Sequence, residues 1–361
     1  MNDRPRLPET RAVLALRHAV RSWLREYAPD GVVAVGLSGG ADSLALTAAA
    51  CAEAEVVDAL IVDHGLQPGS DVVAADAAAA AQRLGCRSVR VLAADMERFE
   101  THRGVPEATV SRPDSATGAG SERVRYRGGL EAAARAARYR ALELARQGSP
   151  VLLGHTLDDQ AETVLLGLGR GSGPRSIRGM TEFEKPWGRP LLGVRRAVTR
   201  QVCAELGITP WEDPHNSAPE FTRVRLRAEV LPLLEDVLGG GVAPALARTA
   251  AQLREDGSAL DALAGELLDG AREGDTLRIE TLATALPALR RRAVRAWLLE
   301  RGAKSLTDSN LRAVEELVTR WRGQGGVAVG GPATGTRLVA AREHGRLILG
   351  PDRSDPPDAG Q

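Results

Sequence analysis

The chain has 361 residues, 43% hydrophobic and 26% charged, with a formal net charge of zero. That length exceeds one typical domain and that balance suits a globular protein with a sizeable core, so two or three domains are expected. Several classes drop out: there is no net positive charge of a general nucleic-acid binder, no apolar run near the roughly 18 residues of a membrane span, no apolar signal core in "MNDRPRLPET", and no CxxC pair among Cys51, Cys86 and Cys203.

Apolar positions at helical spacing predict an amphipathic helix over residues 11–27. Residues 32–37 read as a short apolar strand and 44–54 as a helix of small residues. A second strand over 58–62 ends in Asp63-His64-Gly65. An alanine-rich helix over 72–84 stops at Gly85, and a third strand covers 88–92. Residues 130–147 form a long helix stopped by Gly148, followed by a fourth strand from 151 and a helix over 157–168. Short all-apolar strands alternating with helices indicate a parallel sheet covered on both faces, a doubly wound α/β domain. Ligands of such sheets sit beyond the carboxyl ends of the strands. Polar residues gather there at every crossing: 38–43, Asp63 and His64, Asp95, and 155–159. They are read as one shared site.

Residues 103–128, rich in Gly, Ser, Pro and Arg, have no apolar period and read as a flexible insertion; the alternative is a basic loop that orders on substrate. Beyond residue 229 the pattern changes to amphipathic helices over 248–268, 289–301 and 308–322. Glycine punctuation and the alternation in "RLVAAREHGRLILG" then suggest a small hairpin. The expected organisation is a first domain over 1–233, a mostly helical second domain over 234–350, and a disordered tail over 351–361. Lys185 and Lys304 are the only lysines among 47 basic residues. Arginine's planar fork suits phosphate, so "RVRLR" (223–227) and "RRRAVR" (290–295) are candidate basic patches on a neutral protein.

The stretch with most chemical content is "SGGADS", Ser38-Gly39-Gly40-Ala41-Asp42-Ser43, between the first strand and its helix. Glycines let the backbone turn sharply and present N–H groups, the helix N-terminus adds partial positive charge, and the two serines add hydroxyls. Together these form a phosphate cradle. Asp42 would repel phosphate unless a divalent cation such as Mg²⁺ bridged them, so Asp42 is the candidate metal ligand. The lysine-bearing GxxxxGK[ST] loop is absent.

"SGGADS" resembles the PP-loop of the ATP pyrophosphatases, which cleave ATP between its α and β phosphates and adenylate a substrate. Further stretches resemble the tRNA(Ile)-lysidine synthetases within that superfamily. These are "IVDHGLQPGS" (61–70), "LEAAARAARYRAL" (130–142), "GHTLDDQAET" (154–163), "RPLLGVRRAVTRQVCAELGITPWEDPHN" (189–216) and "TRVRLRAEVLP" (222–232). Order and spacing agree over roughly residues 31–232, and the helical region resembles the family's tRNA-binding domain more loosely. Two departures are Val224, where the family often has Asn, and the long insertion before Leu130.

The resemblance implies a ligase that uses ATP and Mg²⁺ to join L-lysine to the wobble cytidine of the CAU-anticodon tRNA(Ile). An adenylated base is the intermediate, and AMP and pyrophosphate are released. It implies ATP contacts from Ser38, Gly39, Gly40, Ala41, Asp42, Ser43, Asp63 and His64. His155 and Asp159, four apart on one helix face, are candidates to orient the lysine amine and accept its proton, with Asp42 the third catalytic residue. Thr156 with Asp159 also fits a simple capping box. Glu131, Arg135 and Arg138 fall on one side of the long helix and, with Asp213, Asn216, Arg223 and Arg227, are candidates for tRNA or substrate contacts. A cytoplasmic setting without a membrane is expected, and a homodimer is left open. The alternatives are a tRNA thiolation enzyme of the same superfamily, a small-molecule amide-forming synthetase, and a non-catalytic nucleotide-binding module.

Overall fold

A computed structural model describes residues 6–63, 65, 69–93, 127–171, 173–213, 221–332 and 336–351, without the side chains of 127–133. His64, Asp95, Asn216, residues 103–126 of the insertion, the tail from 352 onward and the Glu131 side chain lie outside the described residues. The chain divides into two compact units, Met1–Ala251 and Gln252–Gln361.

The first unit opens with α1 (Arg11–Tyr27), whose start is fixed by the Thr10 hydroxyl accepting from the Val13 N–H at 3.2 Å. It buries Val13, Leu16, Val20 and Trp23 at helical spacing. β1 (Val32–Gly36), α2 (Ala41–Glu53), β2 (Val56–Asp63), α3 (Ser70–Arg83), β3 (Ser88–Ala93), α4 (Arg127–Ala145), β4 (Val151–Leu152) and α5 (Leu157–Gly169) follow the expected alternation. Strands β1, β2, β3 and β4 pair in parallel. Alternate β1 residues serve opposite faces: Val33 and Val35 join a core with α1, α2 and α3, whereas Ala34 joins one with Leu142 and Ala145 of α4. α2 is buried on nearly every side, which its small residues permit.

The short helix α6 (Pro174–Ile177) precedes the strands β5 (Phe183–Glu184) and β6 (Trp187–Gly188), which were not expected from the sequence. β6 pairs in parallel with β4 and antiparallel with β5, so the one antiparallel pair sits at the sheet edge. Two-residue strands carry no readable alternation; the pairing partner defines them. The sheet order is β3-β2-β1-β4-β6-β5. The chain moves outward from β1 to β3 and then returns to β4 on the other side of β1. The crevice between the carboxyl ends of β1 and β4 is therefore the topological switch point where such sheets bind ligands.

Next come α7 (Arg196–Glu205), α8 (Thr222–Arg225), a π-helical turn (Leu226–Val230), α9 (Leu231–Val237) and α10 (Val242–Ala271). The first unit runs beyond the expected boundary near residue 234 because the start of α10 belongs to it: Val242 and Ala243 pack with Leu157, Ala161 and Leu231. Among the described residues, no single helix is long and apolar enough to cross a membrane.

In the second unit, α11 (Ile279–Thr284), α12 (Pro287–Glu300), α13 (Asp308–Thr319) and the end of α10 supply more residues than the strands do. The expected hairpin is β10 (Arg337–Glu343) with β11 (Arg346–Pro351). It is the middle of a five-stranded antiparallel sheet, ordered β7-β8-β11-β10-β9, with β7 (Arg272–Glu273), β8 (Thr276–Arg278) and β9 (Val327–Gly330). Trp297, Leu298, Leu317 and Leu347 are fully buried in its core.

Candidate active site

The loop leaving β1 folds around one hydroxyl. Gly39 has φ +80, a left-handed conformation that glycine adopts without strain. Ser43 Oγ donates to the Gly40 carbonyl at 2.9 Å and accepts the Ser38 N–H at 3.2 Å; Ser38 Oγ lies 3.2 Å from it. No side chain caps α2, whose first turn carries Asp42. The first N–H groups of α2 are thus left to bind an anion. Gly154, at the end of β4, presses on this turn: a Cβ there would stand 2.9 Å from the Asp42 carbonyl carbon and 3.0 Å from the Ser43 nitrogen. Its bare backbone lets the loops after β1 and β4 share one crevice.

Side chains from both loops converge on Arg196, the first residue of α7. Its guanidinium donates to Asp159 Oδ1 at 2.6 Å and reaches Asp42 Oδ2 and Glu162 Oε1, each at 3.4 Å. Thr199, one helical turn on, donates a short hydrogen bond to Asp42 Oδ1. Asp159 divides its two oxygens between two tasks. Oδ2 accepts the Thr156 N–H and hydroxyl, both at 2.7 Å, completing the capping box of α5, while Oδ1 faces Arg196. The capping and functional readings of this residue are therefore compatible.

Glu162 is fully buried and receives the Arg227 guanidinium at 2.8 Å. Arg227 Nη2 lies 3.6 Å from Asp159, and Arg223 Nη1 lies 3.6 Å from Glu162. Asp158 accepts the Arg196 backbone N–H at 2.8 Å, anchoring the start of α7, and pairs with Arg195 at 3.1 Å.

These contacts set the charges. Burial pushes the Asp159 carboxyl up, but Arg196, the Thr156 donors and His155 outweigh it, so the group titrates below the usual carboxylate range. For Asp42 burial wins: its carboxyl is held above the usual range despite the Thr199 hydrogen bond and Arg196, with Asp159 adding repulsion. Burial lowers Arg196, and its carboxylates raise it further than that. His155 falls to about 4, chiefly through burial and against the pull of Asp159, with Arg189, Arg135 and Arg223 also opposing the imidazolium. The ring is neutral at physiological pH, and its buried Nδ1 has no hydrogen-bond partner among the described residues.

The structure thus gathers Ser38, Gly39, Gly40, Ala41, Asp42, Ser43, His155, Asp159, Arg223 and Arg227 around the β1–β4 crevice. Arg135 reaches His155 through its charge and stacks over Tyr139 at 5.0 Å. Burial and the neighbouring Arg135 lower Arg138, while Asp213 opposes them. Asp63, at the end of β2, accepts the Gly65 N–H at 2.9 Å and closes its own turn. The residue-level reading placed Glu162 one helical turn beyond Asp159 without giving it a role, and did not select Arg195, Arg196 or Thr199. Only their place in the stretch 189–216 pointed to those three.

Beside the network lies a cavity of about 140 Å³. It is lined by Asp158, Glu162 and Glu235, by Arg195, Arg196 and Arg227, and by apolar Leu231 and Pro232. Both signs of charge in a small recess suit a zwitterion.

A strand–glycine loop–helix anion site at the switch point of a parallel sheet, facing a carboxylate–arginine network, defines a PP-loop nucleotide-binding domain. The family model for that domain matches residues 13–234, and the TilS substrate binding domain matches residues 277–348. The chain is 67% identical to the tRNA(Ile)-lysidine synthase of Nocardia farcinica, over 92% of this chain and 97% of that one. It is 63% identical to the enzyme of that name from Rhodococcus erythropolis (95% and 97%), and 57% identical to that from Mycobacterium tuberculosis (94% and 97%). The U34-tRNA thiolase from Methanococcus maripaludis shares the fold at 16% identity with a TM-score of 0.50, covering 68% of this chain and 80% of its own. The chain belongs to the tRNA(Ile)-lysidine synthase family.

Proposed function

We propose that the protein uses ATP to join L-lysine to the wobble cytidine of CAU-anticodon tRNA(Ile), through an adenylated base, releasing pyrophosphate and then AMP. The observation that carries this reading is Arg196, which ties Asp42 of the phosphate loop to Asp159 and Glu162 of the loop after β4. One guanidinium joins a nucleotide site to an acidic and basic recess sized for a small charged molecule.

In the first step the base oxygen attacks the α-phosphorus of ATP and pyrophosphate departs. Ser38, Ser43 and the uncapped N–H groups of α2 hold the phosphates, stabilising the negative charge that grows on the leaving group. In the second step the lysine ε-nitrogen bonds to the base carbon, and the carbon–oxygen bond to AMP breaks with its electrons leaving on AMP. Free lysine carries two ammonium groups and one carboxylate. Glu162, Asp158 and Glu235 attract the ammonium groups, and Arg195 and Arg227 the carboxylate. The attacking amine must be neutral, and the unprotonated His155 adds no positive charge to oppose it and is the candidate to take up its proton.

Mg²⁺ fits the site only in company with ATP. Both Asp42 oxygens already accept, from Thr199 and Arg196, and among the described residues no group of three His, Cys, Asp or Glu could hold a metal. Asp42 would hold such an ion jointly with phosphate oxygens, and the ion would supply charge neutralisation of the phosphates. Burial holds the Asp42 carboxyl above the usual range, and a cation brought in with ATP would offset that cost.

Sulfur transfer lacks a residue to carry it. The free thiols of Cys51 and Cys86 meet at 3.6 Å, in the last turn of α2 and just before β3, at the amino edge of the sheet. Cys203 is buried and donates to the Ala41 carbonyl, and burial pushes its thiol up to about 11.

The test is incubation with ATP, Mg²⁺, labelled lysine and CAU-anticodon tRNA(Ile). Label in the RNA in step with AMP is expected. Folded protein that transfers none would overturn the reading.

A further inference from the structure

In the second unit several arginines at or near the surface are neutralised. Arg272 pairs with Glu300, Arg291 with Glu315, Arg301 with Asp275, Arg312 with Asp308 and Arg346 with Glu273. Exposed Arg278 and Arg337 make no ion pair with a described residue, and around Trp321 arginines of this kind stand close together in the chain. Arg320 and Arg322 are exposed and make no ion pair with a described residue, and Arg342 finds a carbonyl and a ring instead of a carboxylate.

Trp321 itself is 38% exposed in the turn between α13 and β9. Arg342 of β10 holds one of its faces, with the guanidinium carbon 5.6 Å from the ring centroid, and anchors to α13 by donating to the Leu317 carbonyl at 3.3 Å. The turn is also braced from within: Gln324 accepts the Arg322 N–H at 2.6 Å and donates to the Arg320 carbonyl at 3.3 Å, and Gly323 has φ +83. A large apolar ring is thus held partly exposed, backed by a cation, and its two chain neighbours are exposed arginines without an ion pair to a described residue. The ordering entropy of a loop is already spent here, which favours binding over a structural role in the core.

We infer that Trp321, backed by Arg342, is a stacking platform for an unpaired base of the tRNA, with Arg320 and Arg322 gripping the adjoining phosphates. Planar bases stack on an aromatic face whatever their sequence, and arginine both reinforces the stack and pairs with phosphate. This surface rests on the reading of the protein as a tRNA-modifying enzyme and extends it to residues that position the RNA.

The experiment uses the full-length enzyme with tRNA(Ile) and with a blunt RNA duplex that has no unpaired nucleotide. Trp321→Ala weakens tRNA binding on the order of 10-fold or more, raises KM for tRNA in step, and leaves KM for ATP as in the wild type. Trp321→Phe restores most of the affinity, and binding of the blunt duplex is indifferent to both substitutions. Arg320→Ala/Arg322→Ala lowers the slope of log Kd against log salt by about one per lost phosphate contact, whereas Trp321→Ala does not change it. Trp321→Ala protein that binds tRNA like the wild type, or a blunt duplex equally weakened, overturns the inference. If wild-type protein forms no lysidine at all, the enzymatic reading fails instead. Circular dichroism confirms that each variant is folded, and the salt slope of the double arginine variant provides an independent measure.

Discussion

The arginines of the two units are arranged differently. Around the β1–β4 crevice they converge: Arg196, Arg223 and Arg227 share Asp42, Asp159 and a fully buried Glu162. In the second unit most pairs are single and nearer the surface, as Arg312 with Asp308, where both side chains are more than half exposed, although Arg290 and Arg291 share the largely buried Glu315. The same residue type has different physical consequences in the two places. Exposed pairs gain little because water and salt screen them. A buried cluster costs desolvation to assemble and is severely destabilised when one member is removed, because charges are left without partners. A fold keeps such a cluster where chemistry needs concentrated charge, and the first unit keeps it at the switch point of its sheet.

Removing the hub tests that contrast most severely. Arg196→Ala leaves Asp42, Asp159 and Glu162 without their shared cation and should cost roughly 3–5 kcal/mol of stability along with the activity; urea unfolding measures the first. A loss no larger than that of a surface variant would erase the distinction between the two regions.

Asp42→Asn sharpens it by separating stability from function. Burial makes the Asp42 charge unfavourable in the unliganded protein, so the variant should melt at or above the wild-type temperature. AMP formation should nonetheless fall by ~10²–10³-fold. A variant that both destabilises the fold and retains turnover would reverse the assignment.

His155 makes a smaller and pH-bound contribution. Its folded pKa near 4 lies below the free value of 6.5. Between these values the unfolded chain holds a proton that the folded chain refuses. Stability therefore falls as pH drops from about 6.5 to about 4 and levels off below, by roughly 3 kcal/mol in all. In His155→Gln that part of the slope should vanish from the pH dependence of unfolding; an unchanged slope would mean the ring is protonated in the fold.

At the small end, Arg312→Ala should leave the melting temperature unchanged within error, since it removes only an exposed i,i+4 pair. A clear drop would show that surface pairs in the second unit matter more than their exposure implies.

The alternation of strand and helix was legible from Arg11 to Gly169 because each element carries its own periodicity or its own glycine stop. α1 runs over 11–27 as read, and the polar clusters after β1 and β4 meet at one crevice, whereas Asp63 closes its own turn and His64 and Asp95 lie outside the described residues. β5 and β6 were not legible, since two residues hold no period. β7 and β8, two and three residues long, escaped in the same way, and the four residues of β9 lie in the glycine-rich stretch, so the hairpin became the middle of a larger sheet. In the candidate site, "SGGADS" announced itself because its chemistry is local. Arg196 did not, because an arginine opening a helix has no distinguishing local pattern. Its meaning comes from Asp42, 154 residues away, and from Asp159, 37 residues away.

The sequence by itself determined the phosphate loop, the parallel sheet and the family, because backbone turns, helix termini and alternating strands depend on neighbours along the chain. Tertiary structure decided which way the carboxylates' titration is pushed, which cation they share, that Asp159 both caps a helix and faces the site, and that Trp321 is partly exposed on an arginine backing. Those properties arise from burial and from Coulomb and hydrogen-bonding contacts between distant segments, and no local pattern encodes them.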